Sequence, residues 1–213
     1  MTGLILKDFY TMKRTLIYLV VVVMIFTGIY SGMGDSHFSD FFLSIMVVSI
    51  LISTMSYDEF YHWDRYAAIL PLSRRQIVGA KYIAALFLFG LGGLFSLGVT
   101  AAVRLFQGAG YSLDDLSQSA IALLTGMIGA AVVLPCYYRF GAQKSRFVMM
   151  GFYGIPALLL VASLKFTPGF WNNVSKVEFT PAVIVLAALV LAAAAMAVSF
   201  LVSVQIMERK ELK

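Results

Sequence analysis

Polar chemistry in this chain is gathered in one stretch, Tyr57–Tyr82, YDEFYHWDRYAAILPLSRRQIVGAKY. It carries Asp58, Glu59, Asp64, Arg65, Arg74, Arg75 and Lys81, interleaved with Phe60, Tyr61, Trp63 and Tyr66. Arginine set among large aromatic rings is the composition of an interface anchor, so the chemistry these residues suit is recognition of a partner in water. Bond-making chemistry finds little support. His37 and His62 are the two histidines and Cys136 the one cysteine, which rules out an intrachain disulfide or a cysteine cluster. There is no H-E-x-x-H zinc motif, no glycine-rich phosphate loop ending in Lys-Ser/Thr, and no G-x-S-x-G elbow. Ser73 and Ser145 read as a helix cap and a loop residue. No catalytic residue, metal or cofactor is expected in the chain, and it does not read as an enzyme.

The elements that must position this stretch are membrane helices. The chain is 61% hydrophobic and 13% charged, whereas a soluble domain has roughly 45–50% apolar and 25% charged residues. Six segments are long enough to span, at about 15–32, 41–57, 80–103, 116–138, 147–164 and 181–207. A helix rises about 1.5 Å per residue, so roughly 20 apolar residues cross a core of about 30 Å. The expected fold is an all-α polytopic membrane protein, a single transmembrane domain over residues 1–213. Residues 1–14, with Ile5, Phe9 and Met12 on one side and Lys7, Asp8 and Thr11 opposite, suit an interfacial helix. The first apolar run reads as an uncleaved span, because no small-residue cleavage site follows it.

Lysine and arginine give the orientation. With the N-terminus inside, Lys7, Lys13, Arg14, Arg65, Arg74, Arg75, Lys81, Arg139, Lys144, Arg146, Arg209, Lys210 and Lys213 fall on the cytoplasmic side, leaving Arg104, Lys165 and Lys176 outside. That asymmetry places both termini in the cytoplasm. The net charge of +5 mostly reflects this sorting and implies no nucleic-acid partner.

The inner loops carry complete local signals. Phe60, Trp63 and Ala67 have the spacing of a short helix from Asp58 to Leu70, which Pro71 stops. Ser73 and Gln76 form a capping box for the next helix, and Leu72 and Ile77 a hydrophobic staple. Arg74 and Arg75 then fall in a first turn, where cations are disfavoured; either charge sorting or a polar partner, an acidic protein surface or lipid headgroups, accounts for them. In the second inner loop, Arg139–Arg146, Gly141 can stop a helix at positive φ. Gly90, Gly92 and Gly93 lie mid-span and read as a close helix–helix contact. No Asp, Glu, Lys, Arg or His occupies the middle of a span, as ion-coupled transport would need; Arg104 and Lys165 sit near span ends, where they can snorkel.

The two inner loops resemble those of type-2 ABC exporter permeases. The first has Trp63, Tyr66, Leu70, Pro71, Leu72, Ser73, Arg74, Ile77, Val78, Ala80, Lys81 and Tyr82 in the pattern W-x-x-Y-x-x-x-L-P-L-S-R-x-x-I-V-x-A-K-Y. The second has Pro135, Tyr138, Phe140, Gly141, Lys144 and Arg146 in P-x-x-Y-x-F-G-x-x-K-x-R. Together they are similar to a small six-span subfamily that includes permeases of bacitracin-type immunity exporters and phenol-soluble-modulin exporters. The resemblance implies a multi-pass protein of the bacterial plasma membrane, one half of a dimer formed with a second copy or a paralogue. A separate cytoplasmic ATPase would bind ATP and Mg and drive export.

It also implies a coupling helix in the loop 58–79 and a smaller second contact in the second loop. Phe60, Trp63, Asp64, Tyr66, Arg74 and Arg75 are the expected coupling interface, and Arg139, Lys144 and Arg146 the second contact. For Trp63 and Tyr66 a membrane-interface belt is the alternative, and for Asp64 a local ion pair with Arg65 or a solvated surface. Tyr18, Phe26, Tyr30 and Phe42 are expected along the substrate path, with ordinary lipid or helix packing as the alternative. An apolar or amphipathic substrate fits spans that offer no charged site. The competing readings are a membrane scaffold or regulatory protein that recruits a partner without transport, and an integral membrane enzyme acting on lipid.

Overall fold

A computed structural model describes residues 2–32, 37–63, 66, 73–108, 110, 112–166 and 180–209. Among the described residues six long helices follow one another: α1 (Thr2–Gly32), α2 (His37–Phe60), α3 (Arg74–Phe106), α4 (Leu113–Phe140), α5 (Ala142–Phe166) and α6 (Pro181–Arg209). Each is long and apolar enough to cross a bilayer, and no strand occurs among the described residues. The chain is an all-α polytopic membrane protein. Residues 2–14, expected as the interfacial helix, are helical and continuous with the first span.

Local sequence explains where several helices begin and end. Ser73 is extended (φ −72°, ψ 149°) and caps α3, with its hydroxyl accepting from Gln76 N–H and Gln76 Oε1 accepting from Ser73 N–H. This is the expected capping box; Leu72, its expected staple, and Pro71 lie outside the described residues. Ser112 and Asp115 make a second capping box at the start of α4. Gly141 ends α4 at φ +87°, as its sequence position suggested.

The first inner loop departs from expectation. Asp58, Glu59 and Phe60 are not the start of a new helix but the last turn of α2. The break comes at Tyr61–His62, because His62 stands at φ +50°, a left-handed conformation that a right-handed helix cannot pass through. Trp63 and Tyr66 are helical beyond the break, while 64, 65 and 67–72 lie outside the described residues.

Helices consecutive in the chain run antiparallel, so α2, α4 and α6 run parallel to one another, and α2 and α4 form the middle of the bundle. Both touch α3 and α5, α1 flanks α2 and α3, and α6 packs most extensively on α4. Leu43, Leu51, Ile52 and Met55 of α2 and Val133 and Leu134 of α4 are fully buried in this middle layer and its contacts with neighbouring helices. Gly92 and Gly93 do face close neighbours, since a Cβ at either would come within 3.3 Å of Val47 or Leu123. Gly90 does not; it faces open space.

The two ends of the bundle are tied differently. At the far end, Asp40 belongs to the first turn of α2 rather than to a loop. Its buried carboxylate accepts from Ser96 (2.5 Å) on α3 and Ser119 (2.7 Å) on α4. Arg104 pairs with Asp115 instead of reaching freely toward solvent, joining the end of α3 to the start of α4. The opposite end gathers the start of α1, the end of α2, the start of α3, the α4–α5 corner and the end of α6. We call it the basic end.

Candidate functional site

Four charges sit at the centre of the basic end. Lys81, two turns into α3, donates to Asp8 Oδ1 of α1 at 2.8 Å and reaches Asp58 Oδ2 of α2 at 2.6 Å. Lys7 of α1 reaches Asp58 Oδ1 at 2.6 Å and lies 3.6 Å from Asp8. Two cations and two anions alternate, so the cluster is neutral. Burial explains why it must be: the side chains of Lys81 and Asp8 are only 8% and 3% exposed. An unpaired charge so placed is strongly disfavoured, whereas a paired and hydrogen-bonded one is tolerated. The cluster thereby fixes the relative positions of α1, α2 and α3. Tyr137 and Tyr138 from α4, Ile77 and Met207 complete its walls.

Trp63 belongs to this cluster. Lys7 Nζ stands 3.9 Å from the centre of its indole ring, a cation–π contact on the electron-rich face. One ammonium thus touches both Asp58, on the last turn of α2, and the first helical residue beyond the His62 break.

Two further ties complete the corner. Glu59 Oε2 accepts from Ala142 N–H (2.8 Å), capping the start of α5 with a negative charge. Arg146 donates to Ser56 Oγ (3.1 Å), so the first turns of α5 are strapped to the last turns of α2. Across the bundle, Arg74 Nη1 donates to the carbonyl oxygens of Met207 and Glu208, each at 2.7 Å, and Arg75 pairs with the Glu208 carboxylate at 3.2 Å. These contacts answer the apparent misfit of two arginines in a first turn. The negative end of α6 lies beside the positive start of α3, and the guanidinium of Arg74 sits between them.

The matching region covers almost the whole of this architecture: residues 3–208 fit the family described as ABC-2 family transporter protein. The chain belongs to that family. It is therefore a membrane permease component of an ABC transporter, and the family implies an ABC ATPase subunit as its partner. No curated protein and no solved structure gives a significant match.

The permease's expected interface residues divide into three groups. Phe60 and Tyr66 are 75% and 63% exposed, and Tyr61, edge-on to Phe60 at 5.2 Å, is exposed too. Trp63 is half-buried over Lys7, while Arg74 and Arg75 hold the end of α6. Asp64 lies outside the described residues. In the second corner, Arg139 and Lys144 are exposed and both lie close to the Phe140 ring, 5.1 and 5.8 Å from its centre. Arg146 borders a recess with Ser53, Ser56, Tyr57, Phe60 and Tyr61.

The expected path residues are spread along α1 and α2. Phe26 stacks on Phe42 at 4.4 Å, Tyr18 is exposed, and the side chain of Tyr30 lies outside the described residues. Beside them, α1 and α3 enclose an apolar groove of about 510 Å³ lined by Met24, Thr27, Gly28, Phe95, Val99 and Phe106, among others.

Sequence reasoning missed Lys7, Asp8, Glu59 and Glu208 as parts of the corner and saw no partner for Asp58 or Lys81. A signal was present. Lys81 follows Val78 and Ala80 and precedes Tyr82 in a helix bound for the membrane, and a lysine set that deep in an apolar face needs an acid.

Proposed function

We propose that this permease is the membrane subunit of an ATP-driven exporter that moves an apolar or amphipathic substrate, such as an antimicrobial or cytolytic peptide, out of a bacterial cell. The observation that carries this reading is the segregation of chemistry. The outward faces of the helices are apolar, with Ile17, Met24, Leu158 and Leu191 more than half exposed. The four-charge cluster of Lys7, Asp8, Asp58 and Lys81 and the exposed rings of Phe60, Tyr61 and Tyr66 stand together at one end. By the positive-inside rule that end faces the cytoplasm and the ATPase.

Phe60, Tyr61 and Tyr66, with Arg146 beside them, form the surface on which the ATPase sits. ATP and Mg are bound by that subunit. Trp63, Arg74 and Arg75 support the surface from behind by holding the elbow to α1 and α6. A hydrophilic solute would find no charge along the α1–α3 groove, whereas a nonpolar chain would find Phe95 and Val99. Tyr18, Phe26 and Tyr30 lie on α1, one wall of that groove, and Phe42 of α2 stacks on Phe26. A second copy or a paralogue completes the transport path. The finer kinship is with the bacitracin-type and phenol-soluble-modulin exporter permeases that the two loop motifs resemble.

The test is co-purification from mild detergent with the cognate ATPase, followed by assay of ATP hydrolysis with candidate peptides. Phe60→Ala with Tyr66→Ala should release the ATPase while leaving the permease folded, because truncating exposed rings changes stability little. Full retention of the ATPase by the double variant would move the docking surface elsewhere. A scaffold that recruits a partner without transport would bind the ATPase but show no peptide-stimulated hydrolysis.

A further inference from the structure

A second groove lies on the other side of the bundle. It has a volume of about 820 Å³ and runs between α4 and α5, with Thr125 and Val132 on one wall and Val148, Gly151, Ile155 and Val161 on the other. From Val148 to Val161 it follows α5 for about 20 Å at 1.5 Å per residue, somewhat more than the roughly 15 Å depth of one leaflet's hydrocarbon.

Both walls end in a cation at the basic end. Arg139 comes seven residues after Val132 and Lys144 four residues before Val148, so each continues the helix face that lines the groove. Both side chains are exposed, and both lie close to the half-exposed Phe140 ring. Among the described residues neither is paired with a carboxylate. Glu59, the acid at this corner, is turned to the Ala142 N–H. Both cations lie within 6 Å of the centre of one ring, so a single phosphate beside Phe140 can be shared between them at the foot of the groove.

We propose that the α4–α5 groove is a binding site for an anionic phospholipid, one acyl chain lying along Val148–Val161 and the phosphate held between Arg139 and Lys144. Charge complementarity selects the headgroup, and the length and apolar lining of the groove select a chain. The site reassigns Arg139 and Lys144 from ATPase contact to lipid contact and leaves Arg146, which is tied to Ser56, in the docking corner. It depends only on the chain spanning a membrane, so it stands or falls apart from the transport reading.

The experiment is native mass spectrometry of the full chain released from vesicles holding equal amounts of dioleoylphosphatidylglycerol and dioleoylphosphatidylcholine. Retained phosphatidylglycerol should exceed phosphatidylcholine about thirtyfold, the scale set by two cations near a lipid surface. Arg139→Gln with Lys144→Gln should bring the ratio close to one. Gly151→Leu, which fills the groove without touching the cations, should reduce retention of both lipids. Equal retention of the two lipids by the native chain would overturn the proposal. So would an unchanged ratio in the double variant, unchanged retention in Gly151→Leu, or loss of the preference to a large excess of inorganic phosphate. A double variant that released the ATPase but kept its lipid preference would assign the two cations to the ATPase and likewise refute the lipid site.

Discussion

Replacing Lys81 with methionine isolates the central cluster. The native arrangement balances Lys7 and Lys81 against Asp8 and Asp58; without Lys81 one negative charge is uncompensated. Lys7 remains 2.6 Å from Asp58 but 3.6 Å from Asp8, so Asp8, itself 3% exposed, carries most of the loss. Breaking a buried pair from one side costs about 3–5 kcal/mol. The surviving Lys7 contacts put this case at the lower end, about 3 kcal/mol, or a fall in melting temperature of about 6–12 °C for a chain of this size.

The assay is thermal unfolding of the purified permease in detergent, followed by tryptophan fluorescence. Trp63 reports directly, because it rests on Lys7. Adding Asp8→Asn to Lys81→Met removes the stranded charge and should restore at least half of the loss, a coupling that a double-mutant cycle measures. If Lys81→Met melted within about 1 °C of the native chain, or if Asp8→Asn lowered stability further in the Lys81→Met background, the claim that these charges hold one another in a water-poor site would be wrong.

Two other outcomes follow from the same corner and from the bundle's polarity. Gly141→Ala forces a side chain onto a residue at φ +87° and ψ 174° and sets its Cβ 3.0 Å from Glu59 Oε1; the variant should lose about 1–3 kcal/mol in the same unfolding assay, and Glu59→Ala should relieve only the steric part. Orientation can be read with cysteines introduced into a Cys136→Ala background: in intact cells a membrane-impermeant maleimide should label Ser112→Cys, and should reach Phe60→Cys only after permeabilisation. Labelling of Phe60→Cys in intact cells would invert the topology.

Much of this architecture was legible because it is written locally. Six apolar runs, the Ser73–Gln76 box and the Gly141 stop depend on residues within a few positions of one another, and each occurs where the sequence put it. The break at His62 was not legible, because histidine is an unremarkable helix residue whose left-handed conformation carries no sequence mark there. The roles of Arg74 and Arg75 were half legible. Their awkward place in a first turn was visible, but the helix end that accommodates them comes 133 residues later.

By itself the sequence determined that the chain is a bundle of six membrane helices with most of its cations at one end, since hydropathy and charge sorting are sums along the chain. Only the tertiary structure decided which charges answer one another. Lys7 meets Asp58 across 51 positions and Lys81 meets Asp8 across 73. Those pairings depend on the rotation and depth of α1, α2 and α3 against each other, and that geometry comes from how the three helices pack together rather than from any residue neighbouring in sequence.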